Sequence, residues 1–156
     1  MFPPFLPMSD IATNRKARRD FHILETHEAG MELKGTEVKS IRRGNVNLAD
    51  AYARVERGEM WLYHCHIQAY QMASHETHDP VRKRRLLLHK KEIRKLKEST
   101  EQKGTTLVGL RMYWKGGRVK VELGVGKGKD HRDQREDLKK RTQKRETDRE
   151  MARFNR

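Results

Sequence analysis

The sequence predicts a mainly β protein, a small closed antiparallel sheet of about six strands with short helices, followed by a basic C-terminal tail. Three observations lead to this prediction. Residues 119–125 alternate between apolar and polar side chains, which is the period of a half-buried strand. Arg57-Gly58 and Lys115-Gly116-Gly117 are tight-turn signals, and each separates two segments rich in β-branched and aromatic residues. Residues 127–156 have only four apolar residues among thirty, too few to build a core.

The N-terminal part begins with residues 1–13, which we expect to be a flexible lead. A compact basic cluster follows at residues 14–19. Residues 21–33 read as one or two extended segments, interrupted near Gly30 by a bulge or turn. A short helix is then expected, with Thr36 as N-cap and with basic residues and Gly44 at its C-terminal end.

The central part contains the two predicted hairpins, residues 51–67 and 105–125, with a basic insertion between them. Residues 68–81 are polar and histidine-rich, and we expect them to be irregular. Residues 82–97 hold nine Lys or Arg residues and one acid. His89, Ile93, Leu96 and Thr100 recur at helical spacing, which predicts a helix that stops at Gly104. The barrel domain is therefore expected over residues 14–126.

The tail, residues 127–156, has the composition of a segment that does not fold alone. Glu136 and Lys140, and likewise Asp137 and Arg141, are spaced for helix-stabilising ion pairs. Each pair contributes only about 0.2–0.5 kcal/mol, and isolated helices of this length are marginal in water. We expect a tail that is disordered in the free protein and becomes helical in a binding groove.

Charge narrows the possible partners. The 156 residues include 36 Lys and Arg against 22 Asp and Glu, a formal net charge of +14, and both the barrel and the tail carry a surplus. Such a surplus favours a polyanionic partner, most often nucleic acid. We expect no membrane partner, because no apolar stretch is long enough to span a bilayer. The single cysteine, Cys65, and the lack of a secretory signal favour a reducing cytoplasm.

Catalytic and cofactor motifs are not apparent. Residues 124–129 are glycine- and lysine-rich but lack the spacing of a phosphate-binding loop, and they read as an exit from the last strand. His64-Cys65-His66, with His75 and His78, raises a zinc hypothesis. On a strand, however, Cys65 would point away from its two neighbours, so ordinary strand residues are favoured. Trp61, Tyr63, Tyr113 and Trp114 are either core residues or base-stacking platforms, and their strand pattern favours the core. We therefore expect no enzyme, no cofactor and no metal.

Six blocks of sequence resemble one bacterial family. They are residues 14–18, Glu28-Ala29-Gly30, residues 35–42, Asp79-Pro80, residues 85–96 and residues 117–124. In this order they are similar to small protein B, the partner of transfer-messenger RNA (SsrA RNA), and the likeness extends from residue 14 to about residue 141.

The resemblance implies a barrel of the oligonucleotide-binding (OB) fold that binds the tRNA-like domain of transfer-messenger RNA. The protein would deliver that RNA to stalled ribosomes in trans-translation. Its tail would probe the empty mRNA channel near the 16S rRNA decoding centre, and elongation factor Tu would be an indirect partner. The alternative is a ribosomal protein or assembly factor that binds ribosomal RNA permanently.

The resemblance also implies a set of RNA-facing residues on the barrel. Asn14 and Glu28 would hydrogen-bond bases or riboses, Leu87 would pack on a splayed base, and the basic residues would hold phosphates. The full set of barrel candidates is Asn14, Arg15, Arg18, His22, Glu28, Arg85, Leu87, His89 and Lys90.

The tail candidates for the decoding centre and the mRNA channel are Lys127, Lys129, His131, Arg132, Asp133, Arg135, Met151 and Phe154. Two positions depart from the family pattern: Arg132 stands where a ring is expected before Asp133, and Gln134 stands where a lysine is expected. We expect Arg132 or His131 to stack on a decoding-centre base, since a guanidinium plane stacks well.

Overall fold

The computed structural model describes residues 10–73 and 77–155. Its strands are β1 Asp10–Thr13, β2 Phe21–Met31, β3 Val46–Asn47, β4 Tyr52–Glu56, β5 Glu59–Tyr63, β6 His66–Ile67, β7 Arg84–Leu87, β8 Thr106–Lys115 and β9 Arg118–Gly128. Its helices are α1 Arg15–Asp20, α2 Gly35–Arg42, α3 Lys90–Lys103 and α4 His131–Phe154.

The predicted closed sheet is confirmed. Six antiparallel strands form a ring in the order β8-β4-β5-β7-β2-β9, and pairing of β9 with β8 closes it. β1 adds to the outside of the ring by pairing with β8, and β3 pairs with β6 in a separate two-stranded sheet. The ring is closed by short pairings as well as long ones: β2 meets β7 at Gly30 and Met31 only, and β4 meets β8 at two residues.

The core fills the inside of this ring. The alternating residues Val119, Val121, Leu123 and Val125 are all buried there, as their period predicted. Ile93 and Leu96 of α3 join the same cluster, so the predicted helix packs its apolar face on the barrel, and Gly104 ends it in a left-handed conformation. A second, smaller cluster lies between α1 and the sheet, with Ala17, Val108 and Leu110 at its centre.

Both predicted hairpin turns are confirmed. Arg57 and Gly58 connect β4 to β5, and Gly116 and Gly117 connect β8 to β9, all four at positive φ. Two-residue turns of this kind match the right-handed twist of the paired strands.

Four local predictions are wrong in detail. β2 runs unbroken through Gly30, and its irregularity lies between Ile23 and Glu25 instead. α2 begins at Gly35 with Lys34 as N-cap, because the Lys34 backbone N–H is held by Glu37 Oε1 at 2.9 Å, which leaves Thr36 inside the first turn. The segment 59–67 splits at His64, whose φ is +57°, so His64 and His66 do not share one strand.

The fourth concerns the ends of the barrel. Residues 10–13 form β1 rather than a flexible lead, while residues 1–9 lie outside the described part of the chain. At the other end β9 continues to Gly128, two residues past the predicted boundary, because Gly126 and Gly128 still pair with Ile23 and Phe21.

The basic run 82–97 contains a strand that the sequence analysis did not predict. Its first half is β7, which pairs with β2 and β5. Arg84 is fully buried there and donates to Glu37 of α2 through Nε and to the Cys65 carbonyl through Nη1, the latter at 2.6 Å. A buried charge of this kind is tolerated only when paired and hydrogen-bonded. β7 was missed because half of its residues are arginine.

The tail is helical from His131 to Phe154, and nearly all of its described side chains are exposed. That the free protein leaves this segment disordered in solution stays a prediction. In the ranges 10–73 and 77–155, none of the helices has the length and apolar character that crossing a membrane requires.

Candidate nucleic-acid interface

An open cleft lies where β2, β7, β9 and the N-terminus of α3 meet. Its volume is about 510 Å³. The cleft brings together five of the predicted RNA-facing residues, which are Glu28, Arg85, Leu87, His89 and Lys90. They come from segments separated by more than 50 residues, so the closure of the barrel is what makes them neighbours.

Gly30 shapes the floor of this cleft. It pairs with Leu87 of β7 on one side and with Lys120 of β9 on the other. A Cβ at Gly30 would lie 3.3 Å from Leu87 Cβ, a tight contact that Leu87 would have to relieve by a small shift, and 3.6 Å from Lys120 Nζ, an ordinary contact. Glycine therefore allows an apolar side chain and an ammonium group to stand side by side in the cleft.

Leu87 is the apolar surface of the cleft. It is 51% exposed, whereas its neighbour Leu86 is buried in the core. An exposed leucine among cations offers a flat contact for an unstacked base while the cations take the phosphates.

Glu28 stands at the edge of the cleft with both carboxylate oxygens engaged. The Tyr113 hydroxyl donates to Oε2, and Lys115 Nζ lies 3.1 Å from Oε1 and 3.2 Å from Oε2. The hydrogen bond from Tyr113 lowers the pKa of Glu28, partial burial opposes this, and Lys115 and Lys120 lower the pKa further. The carboxylate is thus ionised and held in one orientation, with lone pairs left for a donor from outside.

Three basic residues of the cleft, Arg85, His89 and Lys90, are exposed. Among the residues that the structure describes, Arg85 makes two long ion pairs, 3.8 Å to Glu32 and 3.5 Å to Glu59, which cost little to exchange for phosphate. His89 and Lys90 are exposed at the start of α3, where backbone N–H groups and the helix dipole also favour an anion.

Asn14, which was predicted on the RNA-facing surface, is instead buried inside the protein. It is 2% exposed, and its Nδ2 donates to the carbonyls of Leu48 and Gly109 at 2.7 Å each, while its Oδ1 accepts from the Ala17 N–H. Its amide therefore caps α1 and ties it to β8 and to the segment before β4, and it is buried rather than displayed on the surface. A buried asparagine N-cap and an RNA-reading asparagine look alike in sequence.

Arg15, Arg18 and His22 lie apart from the cleft. The first two are exposed on α1, and His22 is exposed at the start of β2, opposite Lys127 of β9. Six residues of extended strand separate His22 from Glu28, about 20 Å. The predicted barrel residues therefore form two groups, one in the cleft and one beside the root of the tail.

The root of the tail is anchored to the barrel by Lys129. Its backbone N–H donates to the Asp20 carbonyl at 2.9 Å, and its Nζ donates to the Arg18 carbonyl at 3.3 Å and to Asp137 of α4. The hydrogen bond from Lys129 lowers the pKa of Asp137. The Lys129 side chain is only 6% exposed, so its first role is to join α1, β9 and α4 rather than to contact RNA.

The remaining tail candidates are displayed to solvent where the structure describes them. Lys127, Arg132 and Arg135 are exposed, as are Met151 and Phe154, the last at 89%. The side chains of His131 and Asp133 lie outside the described part of the molecule.

The histidines do not form a metal cluster in the residues that are described. His78 is buried, with Nδ1 2.9 Å from Thr36 Oγ1 and Nε2 2.9 Å from the Ile67 carbonyl, so it joins α2 to β6. His75 lies outside the described residues. Of the four aromatic candidates, Tyr113 is buried and the other three are half-buried.

Sequence reasoning missed the residues that support the cleft. Lys120 lines it, Tyr113 and Lys115 hold Glu28, and Gly30 makes room. In the alternation of β9, Lys120 is one of the polar residues, which face outward. This alternation is the sequence feature from which its position in the cleft could have been suspected. Nothing local connects Tyr113 with Glu28, 85 positions earlier.

A closed basic barrel with an exposed leucine among cations, and with a charged helix leaving its last strand, defines a nucleic-acid-binding protein of the OB type. Residues 11–153 match the family described as SmpB protein. The chain belongs to the SmpB protein family.

Individual relatives agree over nearly the whole chain. An SsrA-binding protein of Carboxydothermus hydrogenoformans is 53% identical over 141 residues, which is 90% of this chain and 95% of the relative. An SsrA-binding protein of Thermosynechococcus vestitus is 54% identical over 142 residues, covering 90% of this chain and 93% of the relative.

A solved structure shares the fold. The matching chain is 49% identical, covers 80% of this chain and 86% of its own length, and superimposes with a TM-score of 0.65. It comes from work described as "tmRNA-SmpB: a journey to the center of the bacterial ribosome".

Proposed function

We propose that this protein binds the tRNA-like domain of transfer-messenger RNA and brings it to stalled ribosomes in trans-translation. The observation that carries the proposal is the cleft, in which exposed Leu87 stands among Arg85, Lys90 and Lys120 beside an oriented carboxylate. Its family and the SsrA-binding relatives support the identity of the RNA. The role is binding rather than catalysis, and it is exercised in the cytoplasm.

The division of work within the cleft follows from its chemistry. Cations neutralise phosphates and release counterions, which supplies affinity without reading sequence. Leu87 and Glu28 supply selectivity, because an unstacked base and its exocyclic donors are presented by looped RNA and not by a regular duplex. A folded RNA with exposed loop bases, such as the elbow of a tRNA-like fold, meets both requirements.

The tail is the ribosome-facing part of the proposal. α4 leaves the barrel at Lys129 as a basic helix, and nearly all of its described side chains are exposed. We propose that it occupies the mRNA channel when that channel is empty, with Arg132 or His131 at the decoding centre and Met151 and Phe154 farther along. Lys127 and Arg135 would contact ribosomal RNA phosphates, and elongation factor Tu would act through the shared RNA.

The test is the affinity of purified protein for the isolated tRNA-like domain. Leu87→Ala removes the apolar contact from an exposed position, so the fold stays intact while affinity drops by about tenfold, the lower end of what one stacked base contributes. Val81→Ala is the matched control, because Val81 is 55% exposed but lies outside the cleft. Equal affinities for both variants, or wild-type protein that recovers bulk ribosomal RNA from cells in place of one small stable RNA, would reject the proposal.

A further inference from the structure

A second cavity, of about 390 Å³, borders the cleft. Its remaining wall is apolar where the side chains of Leu33, Val38 and Trp114 line it, and all three are half-buried. Trp114 offers the largest apolar surface of the three. We call this cavity the Trp114 groove, and it shares with the cleft the residues Gly30, Leu87 and Lys120.

Strand β1 begins beside this groove, and residues 1–9 of the chain precede it. β1 pairs antiparallel with β8 and places Asp10 opposite Tyr113. The next residue of β8 is Trp114, so the chain before Asp10 starts from the edge of the groove. Phe5 is five residues before Asp10, and an extended chain of that length spans at most about 17 Å. The first residues of the chain are therefore within reach of Trp114.

The composition of residues 1–9 suits an apolar groove with an aromatic wall. Phe2, Phe5 and Leu6 are large and apolar, and no side chain of this segment is charged. Three of the four prolines of the whole chain also lie here, at positions 3, 4 and 7. Proline-rich segments favour the extended polyproline II conformation, so they lose little conformational freedom on binding, and aromatic-lined grooves recognise them.

The turn between β8 and β9 leaves the path from β1 to the groove open. It contains Gly116 and Gly117, and Gly117 lines the groove. A Cβ added at either glycine would meet no atom within 4 Å among the described residues other than its chain neighbours. No side chain of these two residues therefore stands between the beginning of β1 and Trp114.

Covalent attachment favours this segment over an external ligand. A short flexible linker gives the attached segment an effective concentration on the order of millimolar, so even a weak contact is well populated. Burial of Phe5 and Leu6 against the groove removes apolar surface from water on both sides of the contact. The cations at the groove, Arg118 and Lys120, keep their hydration, because the segment brings no side-chain charge of its own.

We propose that residues 1–9 dock in the Trp114 groove of their own chain, with the side chains of Phe5 and Leu6 against Trp114. This inference concerns the protein free of RNA, and it does not depend on which RNA the cleft binds. Because the groove and the cleft share Leu87, the docked segment forms one wall of the cleft.

The first test is NMR spectroscopy of the full chain without RNA. Nuclear Overhauser effects are expected between the ring protons of Phe5 and the indole of Trp114. The chain has two tryptophans, so the variant W61F assigns the indole signals. Absence of these contacts would overturn the proposal. In a mixture of labelled and unlabelled protein, contacts that arise only between chains would identify a second copy as the occupant and would also overturn it.

The second test is the fluorescence of Trp114 in the W61F background. The double variant F5A/L6A should shift its emission to longer wavelength and raise its acrylamide quenching constant about twofold, because the ring loses the cover over one face. L24A/L138A is the matched control, since Leu24 and Leu138 are also exposed apolar residues and neither lines the groove.

Two results of this measurement would reject the docking. One is quenching of Trp114 in F5A/L6A that equals the quenching in the control. The other is a wild-type Trp114 that is shielded only when RNA is added, which would identify RNA as the occupant of the groove. Shielding of Trp114 in the free protein that F5A/L6A removes and the control keeps is the result expected.

Discussion

Glu37 is a carboxylate on which much of the barrel's polar interior depends. It is fully buried, accepts from the Lys34 N–H, Arg82 and Arg84, and so joins the start of α2 to β7. Burial by itself would raise the pKa of Glu37, but these hydrogen bonds outweigh it and the pKa is lowered. The charged form is therefore the one that the fold requires.

Glu37→Gln should destabilise the protein by about 3–5 kcal/mol, because Arg84 would keep a buried charge without a counterion. Asp50→Asn, which breaks the exposed pair with Lys16, should change stability by less than about 1 kcal/mol. Urea unfolding of both variants measures the difference. A cost for Glu37→Gln no larger than that of the control would show that the buried pair contributes no net stability.

The same carboxylate predicts an acid dependence. Its pKa is depressed in the folded protein, so its contribution is complete above the unfolded value of about 4.3 and is lost as pH falls through the lower folded value. The stability difference between wild type and Glu37→Gln should accordingly shrink as pH decreases from 5 toward 3. A difference independent of pH over this interval would assign the effect to packing.

Tyr113 is expected to act as a positioning residue for Glu28. Tyr113→Phe removes the hydrogen bond that most lowers the pKa of Glu28, so that pKa should rise and RNA affinity should decrease several-fold. Tyr63→Phe is the control, since Tyr63 makes the same bond to Glu56 outside the cleft. The measurements are the pKa of Glu28, followed by NMR, and the affinity for RNA. If Tyr113→Phe lowers stability but leaves the pKa of Glu28 unchanged, Tyr113 has a structural role only.

The stability of helix α1 depends on its packing against β8. Only six residues long, it cannot persist alone, and it is held by the Asn14 cap and by packing of Ala17 on Val108 and Leu110. β9 passes under this cluster at Gly124, where an added Cβ would lie 2.8 Å from Leu110 Cδ1 and 3.2 Å from Ile23 Cγ2. Glycine fits there without strain, whereas a Cβ would force the cluster or the strand to shift because the space is already occupied.

Gly124→Ala should therefore cost about 1–3 kcal/mol, since Leu110 or the strand must move. Gly128→Ala in the same strand should change stability by less than about 0.5 kcal/mol, because no atom lies within 4 Å of the added Cβ. Thermal unfolding of the two variants measures this. Equal melting temperatures would indicate that the cluster under α1 adapts without cost.

The whole molecule consists of a packed barrel and an exposed helix, and these parts carry different tasks. The barrel contains both cores and the cleft, whereas the described part of α4 is joined to the barrel through Lys129 and Asp137. Loss of the tail should therefore leave the cleft unchanged. Because β9 and Lys129 still belong to the barrel, the cut must be placed after Asp130 and not after Gly126.

Truncation after Asp130 should leave affinity for the tRNA-like domain within about twofold of wild type and abolish rescue of stalled ribosomes. The remaining chain keeps every cation of the cleft. Binding assays and a reconstituted rescue reaction measure the two effects separately. Loss of RNA affinity together with rescue would contradict the division between barrel and tail.

Much of this architecture could be predicted from local sequence. The β9 alternation, the two hairpin turns, the α3 spacing and the basic tail were all visible because each depends on residues near one another in the chain. β7 and the split at His64 were missed, since arginine-rich strands and isolated positive-φ histidines run against local propensity.

Charge, strand periodicity, turn positions and family can be read from the order of the amino acids, because these follow from composition and from short-range preferences. The three-dimensional arrangement was needed to show that Asn14 is an internal cap and that Arg84 is a buried partner of Glu37. It was also needed to show that Leu87, Glu28 and Lys120 share one cleft. Burial and proximity arise when distant segments close into a ring, and no pattern within a single segment encodes which of its polar groups that closure will enclose.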